Sequence, residues 1–171
     1  YTDSAEEGYI YLPDYVIALG AGAFYKNGVV TKVHLSSKMQ DIGEHTFDGC
    51  SLLASVVFTD GMTDCMITHI GNAAFRATAA LKSAAFVGKM NRLVKIGDEK
   101  LETADAKSIK ELNYETGRVN NQKYGSDVFR GSAITELSLP ASLRIINSRS
   151  FFQITSLKSV TWAKGTLSAG Q

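Results

Sequence analysis

This 171-residue sequence has almost no excess of either charge, few cysteines and no long apolar run. The formal net charge is only +1, whereas a dedicated binder of nucleic acid or anionic membranes would carry a marked basic excess. No apolar run approaches the roughly 20 residues of a membrane span, and 2 cysteines cannot form a disulfide framework. The hydrophobic content of 44 % argues against disorder, and the length suits a single domain over residues 1–171.

An internal repeat organises the chain. Six related segments end in phenylalanine or leucine: LGAGAF (19–24), IGEHTF (42–47), IGNAAF (70–75), IGDEKL (96–101), YGSDVF (124–129) and INSRSF (146–151). Each is followed by three more apolar positions, as Leu53, Val56 and Phe58 follow the second segment. Self-similarity at a spacing of 22 to 28 residues is typical of solenoid proteins, in which stacked units share one core.

The apolar pattern also predicts the strands. Its last part alternates with period two, so alternate side chains point into and out of the core. Stacked copies predict a parallel sheet of about seven short strands, near 8–12, 31–35, 54–58, 82–86, 110–114, 135–139 and 158–162. The segments that end in Phe or Leu are expected to form short helical turns on the opposite face. The predicted fold class is therefore a repeat solenoid, a right-handed β/α superhelix.

Glycine follows the first apolar position in most units, as at Gly43 and Gly71, and Asn147 takes its place in the last. These residue types predict a recurring turn with positive φ. Extra residues interrupt the pattern at 59–69, 87–95 and 98–107. We expect the first two as surface loops and the third, with Asp98 as its cap, as an α-helix.

These repeats resemble the BspA-like leucine-rich repeats of bacterial surface proteins, whose pattern runs Ile-Pro-x-Ser-Val-x-x-Ile-Gly-x-x-Ala-Phe-x-x-Cys-x-x-Leu-x-x-Val-x-Ile. Residues 42–58 carry most of that pattern, and residues 139–162 carry the half with proline. The resemblance covers about residues 9–162 and departs at Leu101 and Tyr124, where the pattern has Phe and Ile. It implies a leucine-rich repeat fold and a non-catalytic, adhesin-type binding module of an extracellular or cell-surface protein.

Residues that could support catalysis or bind metal form no recognisable site. Three histidines fall at unrelated positions of the repeat: His34, His45 and His69. One insertion carries four potential zinc ligands: Asp60, Asp64, Cys65 and His69. Their spacing matches no zinc motif. Cys50 lies in a column of small residues, which indicates a buried thiol, and a disulfide to Cys65 is left open. We therefore predict a protein that is not an enzyme and has no metal or cofactor.

The outward positions of the predicted sheet are the candidate binding surface, because solenoids bind partners on such extended faces. They include Tyr9, Tyr11, Lys32, His34, Ser55, Val57, Ser83, Glu111, Asn113 and Glu136. The first four make one end aromatic and basic, the middle has small residues, and the last part is acidic. A protein partner is the first hypothesis. A glycan-binding module that uses Tyr9 and Tyr11 as stacking platforms is the second, and a hydrolase with its site in the insertions is the third.

The end of the last predicted strand raises a separate expectation. The nine residues after it are too small to cover Phe151, Val160 and Trp162. An uncovered parallel edge strand can pair with another chain. We therefore expect either that the chain is a fragment of a longer or processed protein or that two copies associate through this edge.

Overall fold

The structure is a computed structural model, and it describes residues 7–58, 65–98 and 126–163, together with the backbone of two short strands between the last two ranges. In chain order the strands are β1 (Tyr9–Tyr11), β2 (Ala18–Leu19), β3 (Lys32–Leu35), β4 (Asp41–Ile42), β5 (Ser55–Phe58), β6 (His69–Ile70), β7 (Ser83–Ala84), β8 (Lys95–Ile96), β9 (Glu111–Leu112), β10 (Val119–Asn120), β11 (Glu136–Leu139), β12 (Ile145–Ile146) and β13 (Ser159–Trp162). A helix of four residues, α1 (Ala85–Gly88), follows β7.

The strands form two parallel faces of a solenoid. On the first face, β1, β3 and β5 pair in one sheet and β7, β11 and β13 in another. On the second face, β2, β4, β6, β8 and β12 form a continuous parallel sheet. The predicted solenoid fold and its stacked parallel strands are therefore confirmed. No helix within the described ranges is long and apolar enough to cross a bilayer.

Stacked phenylalanine rings run through the middle of the core and link five successive coils. Ring centroids are separated by 5.3 Å between Phe24 and Phe47, 5.4 Å between Phe47 and Phe75, 5.3 Å between Phe75 and Phe129, and 5.6 Å between Phe129 and Phe151. The three inner rings are 0 % exposed, which confirms the predicted burial. We call this column the phenylalanine ladder.

The direct contact between Phe75 and Phe129 corrects the predicted repeat count. Phe75 N–H donates to the Val128 carbonyl at 2.8 Å, and β8 pairs directly with β12. Residues 96–98 and 126–129 are thus two parts of one coil, and the ladder passes directly from Phe75 to Phe129. Leu101 and Tyr124 lie outside the described residues.

The strand predicted near 110–114 is wrong as a member of the stacked row. β7 pairs directly with β11, with Ser83 opposite Glu136, so no strand separates them. Instead, β9 pairs with β10 in an antiparallel sheet of two strands. The sequence misled because Ile109, Leu112 and Tyr114 repeat the apolar spacing of a true coil. The helix predicted over 98–107 lies outside the described residues.

The strand predicted near 82–86 is shorter than expected, and the loop predicted over 87–95 is part of the core. The chain leaves β7 at Ala84 and turns into α1. Phe86, Val87, Met90 and Leu93 are all buried, and the Phe86 ring lies 5.3 Å from the Phe75 ring. Phe86 and Val87 lie in α1, and Met90 and Leu93 lie in the turns after it, so the alternation of a strand ends at Ala84.

The predicted helical turns opposite the sheet are consecutive tight turns. The N–H groups of Gly22, Phe24 and Lys26 donate to carbonyls of the next coil at 2.7 to 2.9 Å. The intervening N–H groups bond within the turn, as Ala23 does with the Gly20 carbonyl. Because alternate donors point along the solenoid axis, the backbone cannot continue as a helix.

The recurring glycines do not have the positive φ that the sequence predicted; of the described ones at that position, only Gly97 does. Gly43 and Gly71 are instead required by close approach of adjacent coils. A Cβ at Gly43 would lie 2.7 Å from the Leu19 carbonyl oxygen, and one at Gly71 would lie 2.5 Å from the Glu44 nitrogen. Positive φ occurs two residues before and after each ladder phenylalanine, at Gly22, Lys26, His45, Gly49, Ala73, Ala77, Asp127, Gly131, Arg149 and Gln153.

Phe75→Ala should destabilise the domain by about 3–5 kcal/mol, because it removes a buried ring from the centre of the ladder. Phe152→Ala is a matched control, since that ring is 43 % exposed, and it should cost under about 1 kcal/mol. Urea denaturation measures both values. Equal losses for the two variants would contradict the ladder.

Ala77→Gly should stabilise the domain by up to about 1 kcal/mol. Ala77 has a φ of 56°, where a side chain costs about 1–2 kcal/mol and glycine costs little, and glycine occupies the equivalent positions 49 and 131. Ala79→Gly is the control, because its φ is negative and it should lose about 0.4–1 kcal/mol of stability. Thermal unfolding of both variants tests the difference, and destabilisation by Ala77→Gly would refute it.

Candidate functional site

Four predicted site residues meet at one end of the first face. Pairing of β1 with β3 places Tyr9 opposite Lys32 and Tyr11 opposite His34. The Tyr9 hydroxyl lies 3.3 Å from His34 Nδ1, and the Lys32 ammonium lies 4.9 Å from the centre of the Tyr9 ring. The Tyr11 and His34 rings meet edge to face at 4.7 Å. We call these four residues the aromatic–basic cluster.

The aromatic–basic cluster is held in place and remains accessible. Tyr11 is 53 % exposed, while Tyr9, Lys32 and His34 are partly buried by one another. Their alternation with the buried Val33 and Leu35 follows from the two-residue period of the strand. Rigid aromatic side chains with exposed edges lose little conformational entropy when a partner binds.

A cleft of about 260 Å³ interrupts the first face between β5 and β7. It forms where the chain leaves β7 for α1 instead of extending alongside β5. Its lining includes Ser55, Val57, Ser83, Ala85, Phe86 and Lys89. We call it the sheet-break cleft. Three of these residues, Ser55, Val57 and Ser83, belong to the predicted binding surface, but the strand pattern gave no sign that the sheet is broken there.

The outward positions of β11 and β13 are polar. Glu136 lies between Ser83 and Ser159 in register, and the Ser138 and Thr161 hydroxyls are 3.0 Å apart. Glu111 does not belong to this face, because it lies in β9, outside the stacked row. Asn113 lies outside the described residues.

The second face carries a charged cluster that the sequence reading missed. The Asp41 carboxylate lies 2.7 Å from His69 Nδ1, and Asp98 lies 2.7 Å from His69 Nε2 and 3.3 Å from the Lys95 ammonium. The Nε2 contact is poorly aligned for a hydrogen bond, so it acts as an ion pair when His69 is protonated. The available signal was that Asp41, His69 and Lys95 each precede the first apolar position of a unit.

This cluster shifts the pKa of two groups. Asp98 raises the pKa of His69, burial lowers it, and Asp41 raises it further, so that the net shift is upward. Burial by itself raises the pKa of Asp98, but His69 and Lys95 outweigh it and lower the pKa overall. The cluster links the second face to the point where the chain leaves the solenoid.

Two other groups with shifted pKa values, Asp48 and Cys50, lie in the core. Asp48 is buried and accepts hydrogen bonds from Arg76 at 2.6 and 3.0 Å, with His45 at 2.8 Å on its other side. Burial raises the pKa of Asp48, but His45 and Arg76 reverse that effect and lower it. Burial raises the pKa of the Cys50 thiol, which makes it a poor nucleophile.

The cysteines and the described candidate metal ligands are not grouped around one point. Cys50 and Cys65 are both buried, free thiols, so the buried thiol predicted at Cys50 is confirmed. Within the described ranges, no group of three or more His, Cys, Asp or Glu side chains could hold a metal ion. Asp60 and Asp64 lie outside those ranges.

Comparison with known families agrees with this geometry. The sequence model of the BspA type leucine rich repeat region matches residues 4–99 and 122–171, in 6 copies. The chain belongs to this leucine-rich repeat family. The gap between the matched ranges falls where the chain departs from the solenoid, so the segment between Asp98 and Ser126 lies largely outside the repeat pattern. No curated protein matches the sequence.

Two solved structures share the fold of this leucine-rich repeat protein. A leucine-rich repeat protein from T. pallidum is 24 % identical with a TM-score of 0.65, and the alignment covers 90 % of this chain and 57 % of that one. One from Bacteroides ovatus is 22 % identical with a TM-score of 0.62, covering 90 % of this chain and 33 % of that one. This chain thus spans about half and a third of their lengths.

The coupling between His69 and Asp98 should stabilise the fold more at low pH than at high pH. A raised pKa means that protonated His69 is stabilised by folding, so its contribution is complete below about pH 6.5 and declines as pH rises through the folded pKa. His69→Gln, Asp98→Asn and the double variant form the thermodynamic cycle. Denaturation between pH 5.5 and 9 measures the coupling energy, and a constant value across that range would contradict the ion pair.

Proposed function

We propose that this leucine-rich repeat domain is a non-catalytic module that binds a protein partner on its first face, with the aromatic–basic cluster as its centre. The observation that carries this proposal is the convergence of Tyr9, Tyr11, Lys32 and His34 from two strands onto one partly exposed patch. Tyrosine is among the residue types that dominate interface energies. Repeat solenoids also use such extended faces for binding.

The charge distribution supports a protein partner. With a net charge of +1 and a single lysine among the four cluster residues, the surface lacks the basic excess that phosphate backbones require. A mixed aromatic and polar face that carries Glu136 in its second half is suited to a partner of mixed charge. A glycan is the alternative, favoured by the exposed Tyr11 ring, on which a sugar could stack.

A hydrolytic function lacks support in the described part of the chain. His69 and His45 are held by carboxylates, and both cysteines are buried. Each of these side chains packs in the core or pairs with a carboxylate. None lies beside a nucleophile in a cleft, as a catalytic triad requires. A non-catalytic role is therefore part of the proposal.

A location outside the cell or on its surface is also part of the proposal. Its support is the family resemblance to repeats of bacterial surface proteins. Self-association through β13 remains a prediction. Val160 and Trp162 in that strand are 46 % and 57 % exposed, which is compatible with pairing.

An alanine series should locate the binding surface. Screening the domain against an array of purified secreted and cell-surface proteins, and in parallel against a glycan array, identifies the partner. Titration of that partner then measures the affinity of each variant. Tyr11→Ala and His34→Ala should weaken binding at least tenfold, because aromatic anchors dominate interfaces. The controls Ser159→Ala and Thr161→Ala, on the same face, should change it less than twofold. Small and equal losses at all four positions would move the site elsewhere, and a hit only among glycans would favour the alternative.

A further inference from the structure

Two arginines share one carboxylate on the turn side of the coils that carry Phe129 and Phe151. Arg149 Nε donates to Asp127 Oδ1 at 2.9 Å, and Arg149 Nη2 and Arg130 Nη1 both lie 3.4 Å from Asp127 Oδ2. The Asp127 side chain is only 2 % exposed, whereas those of Arg130 and Arg149 are 30 % and 34 % exposed. The two guanidinium groups therefore converge on a buried anion and are themselves reached by solvent.

This arrangement leaves one positive charge without a counterpart. Among the described residues, Asp127 is the only acidic group within ion-pair distance of either arginine, so one carboxylate serves two guanidinium groups. Arg130 Nη2 and Arg149 Nη1 donate no hydrogen bond within the described part of the chain. Unused guanidinium donors next to an unbalanced positive charge favour the binding of an external anion.

An exposed aromatic ring lies against both guanidinium groups. Arg149 Cζ lies 4.7 Å from the centre of the Phe152 ring and Arg130 Cζ lies 5.6 Å from it, while the ring itself is 43 % exposed. Arg130 Nε also donates to Gln153 Oε1 at 2.8 Å. These contacts order the side chains before a ligand arrives, which lowers the entropy lost on binding. We call Arg130, Arg149 and Phe152 the arginine–phenylalanine cluster.

The charge and the surroundings of this cluster favour a carboxylate as the bound anion. A carboxylate carries one negative charge and matches the single unbalanced positive charge, whereas a phosphate monoester carries about 1.5–2 negative charges at neutral pH. The planar fork of a guanidinium pairs well with the two oxygens of a carboxylate. The Phe152 ring favours an apolar group beside that carboxylate, which a polypeptide supplies more readily than a sugar acid with its many hydroxyl groups.

We propose that the arginine–phenylalanine cluster binds a carboxylate of a partner polypeptide, with a neighbouring apolar side chain of that partner on Phe152. The cluster lies on the turn side, opposite the first face, so it is a second contact surface that does not use the aromatic–basic cluster. The carboxylate belongs either to an acidic side chain or to a chain terminus, and the two sources are distinguished by the probes.

Three short peptides serve as probes: acetyl-Gly-Leu-Asp-Gly-amide, the same peptide with Asn in place of Asp, and acetyl-Gly-Leu with a free terminal carboxylate. Each is titrated into the purified domain labelled with nitrogen-15, and the Nε–H resonances of Arg130 and Arg149 report binding at the cluster. Inorganic phosphate and glucuronic acid are titrated in the same way.

Two variants test the cluster, each with a matched control. Arg130→Gln removes one guanidinium and leaves Asp127 paired with Arg149. Its control is Arg144→Gln, which changes the net charge equally at an exposed arginine that bonds only to nearby backbone carbonyls. Phe152→Ala removes the exposed ring, and Leu52→Ala, at a side chain that is 50 % exposed, is its control. Thermal unfolding verifies that every variant is folded.

A carboxylate peptide should bind at least about fivefold more tightly than the Asn peptide, because charge-assisted hydrogen bonds are the stronger kind. The Asp peptide would identify an acidic side chain as the ligand, and the peptide with the free carboxylate would identify a chain terminus. Arg130→Gln should weaken that binding at least about fivefold and Phe152→Ala about threefold, while both controls stay within about twofold.

Three results would overturn the proposal. The first is that neither carboxylate peptide binds better than the Asn peptide up to its solubility limit. The second is that phosphate or glucuronic acid binds more tightly than both carboxylate peptides. The third is an equal loss of binding in Arg130→Gln and Arg144→Gln, which would show a general charge effect.

Tyr11→Ala separates this proposal from the proposed function. That variant should bind the carboxylate peptides as the parent does, because Tyr11 lies on the first face. Loss of peptide binding in Tyr11→Ala would move the peptide to the aromatic–basic cluster and overturn the role of Arg130 and Phe152. Failure of the peptides to bind any variant leaves the outcome of the alanine series on the first face unaffected.

Discussion

Hydrogen bonds between successive coils set the spacing on which every other feature of this solenoid depends. The turns and the second face bond from coil to coil throughout, and the first face does so on either side of its break, so the rise per coil is that of one parallel strand, about 4.8 Å. Aromatic rings can stack at this spacing, which is why one phenylalanine per coil fills the core. The same spacing brings backbone to backbone at Gly43 and Gly71 and leaves no room for a Cβ.

Charged side chains reinforce this spacing from coil to coil. Asp48 binds Arg76 of the next coil, and Asp127 binds Arg149 of the coil after its own. Both carboxylates are nearly fully buried, so loss of Arg76 would leave Asp48 with His45 alone, and loss of Arg149 would leave Asp127 with Arg130 alone. Such pairs form only when neighbouring coils are in register, and they therefore specify the alignment that apolar stacking alone leaves free.

The sequence predicted the solenoid, most strands and the buried phenylalanines because apolar spacing directly reports which side chains share a core. It could not identify which coil stacks on which. Ile109, Leu112 and Tyr114 have the spacing of a true coil, yet β7 pairs with β11 beyond them. The same limit concealed the contact between His69 and Asp98 and the sheet-break cleft. Each depends on where the chain departs or turns, which local periodicity does not encode.

The departure after Asp98 has a consequence for how such a domain can change. Gly97 and Ser126 lie in contact, so the two ends of the departing segment are already joined by the packed coil. Closing a longer segment at this base costs only about 0.6 kcal/mol for each doubling of its length. A change of chain length at this point would therefore leave the described stacking of Phe75 on Phe129 in place, because both bounding residues are held in the packed coil. The solenoid thus has a fixed insertion point, at which added sequence would cost the fold little stability.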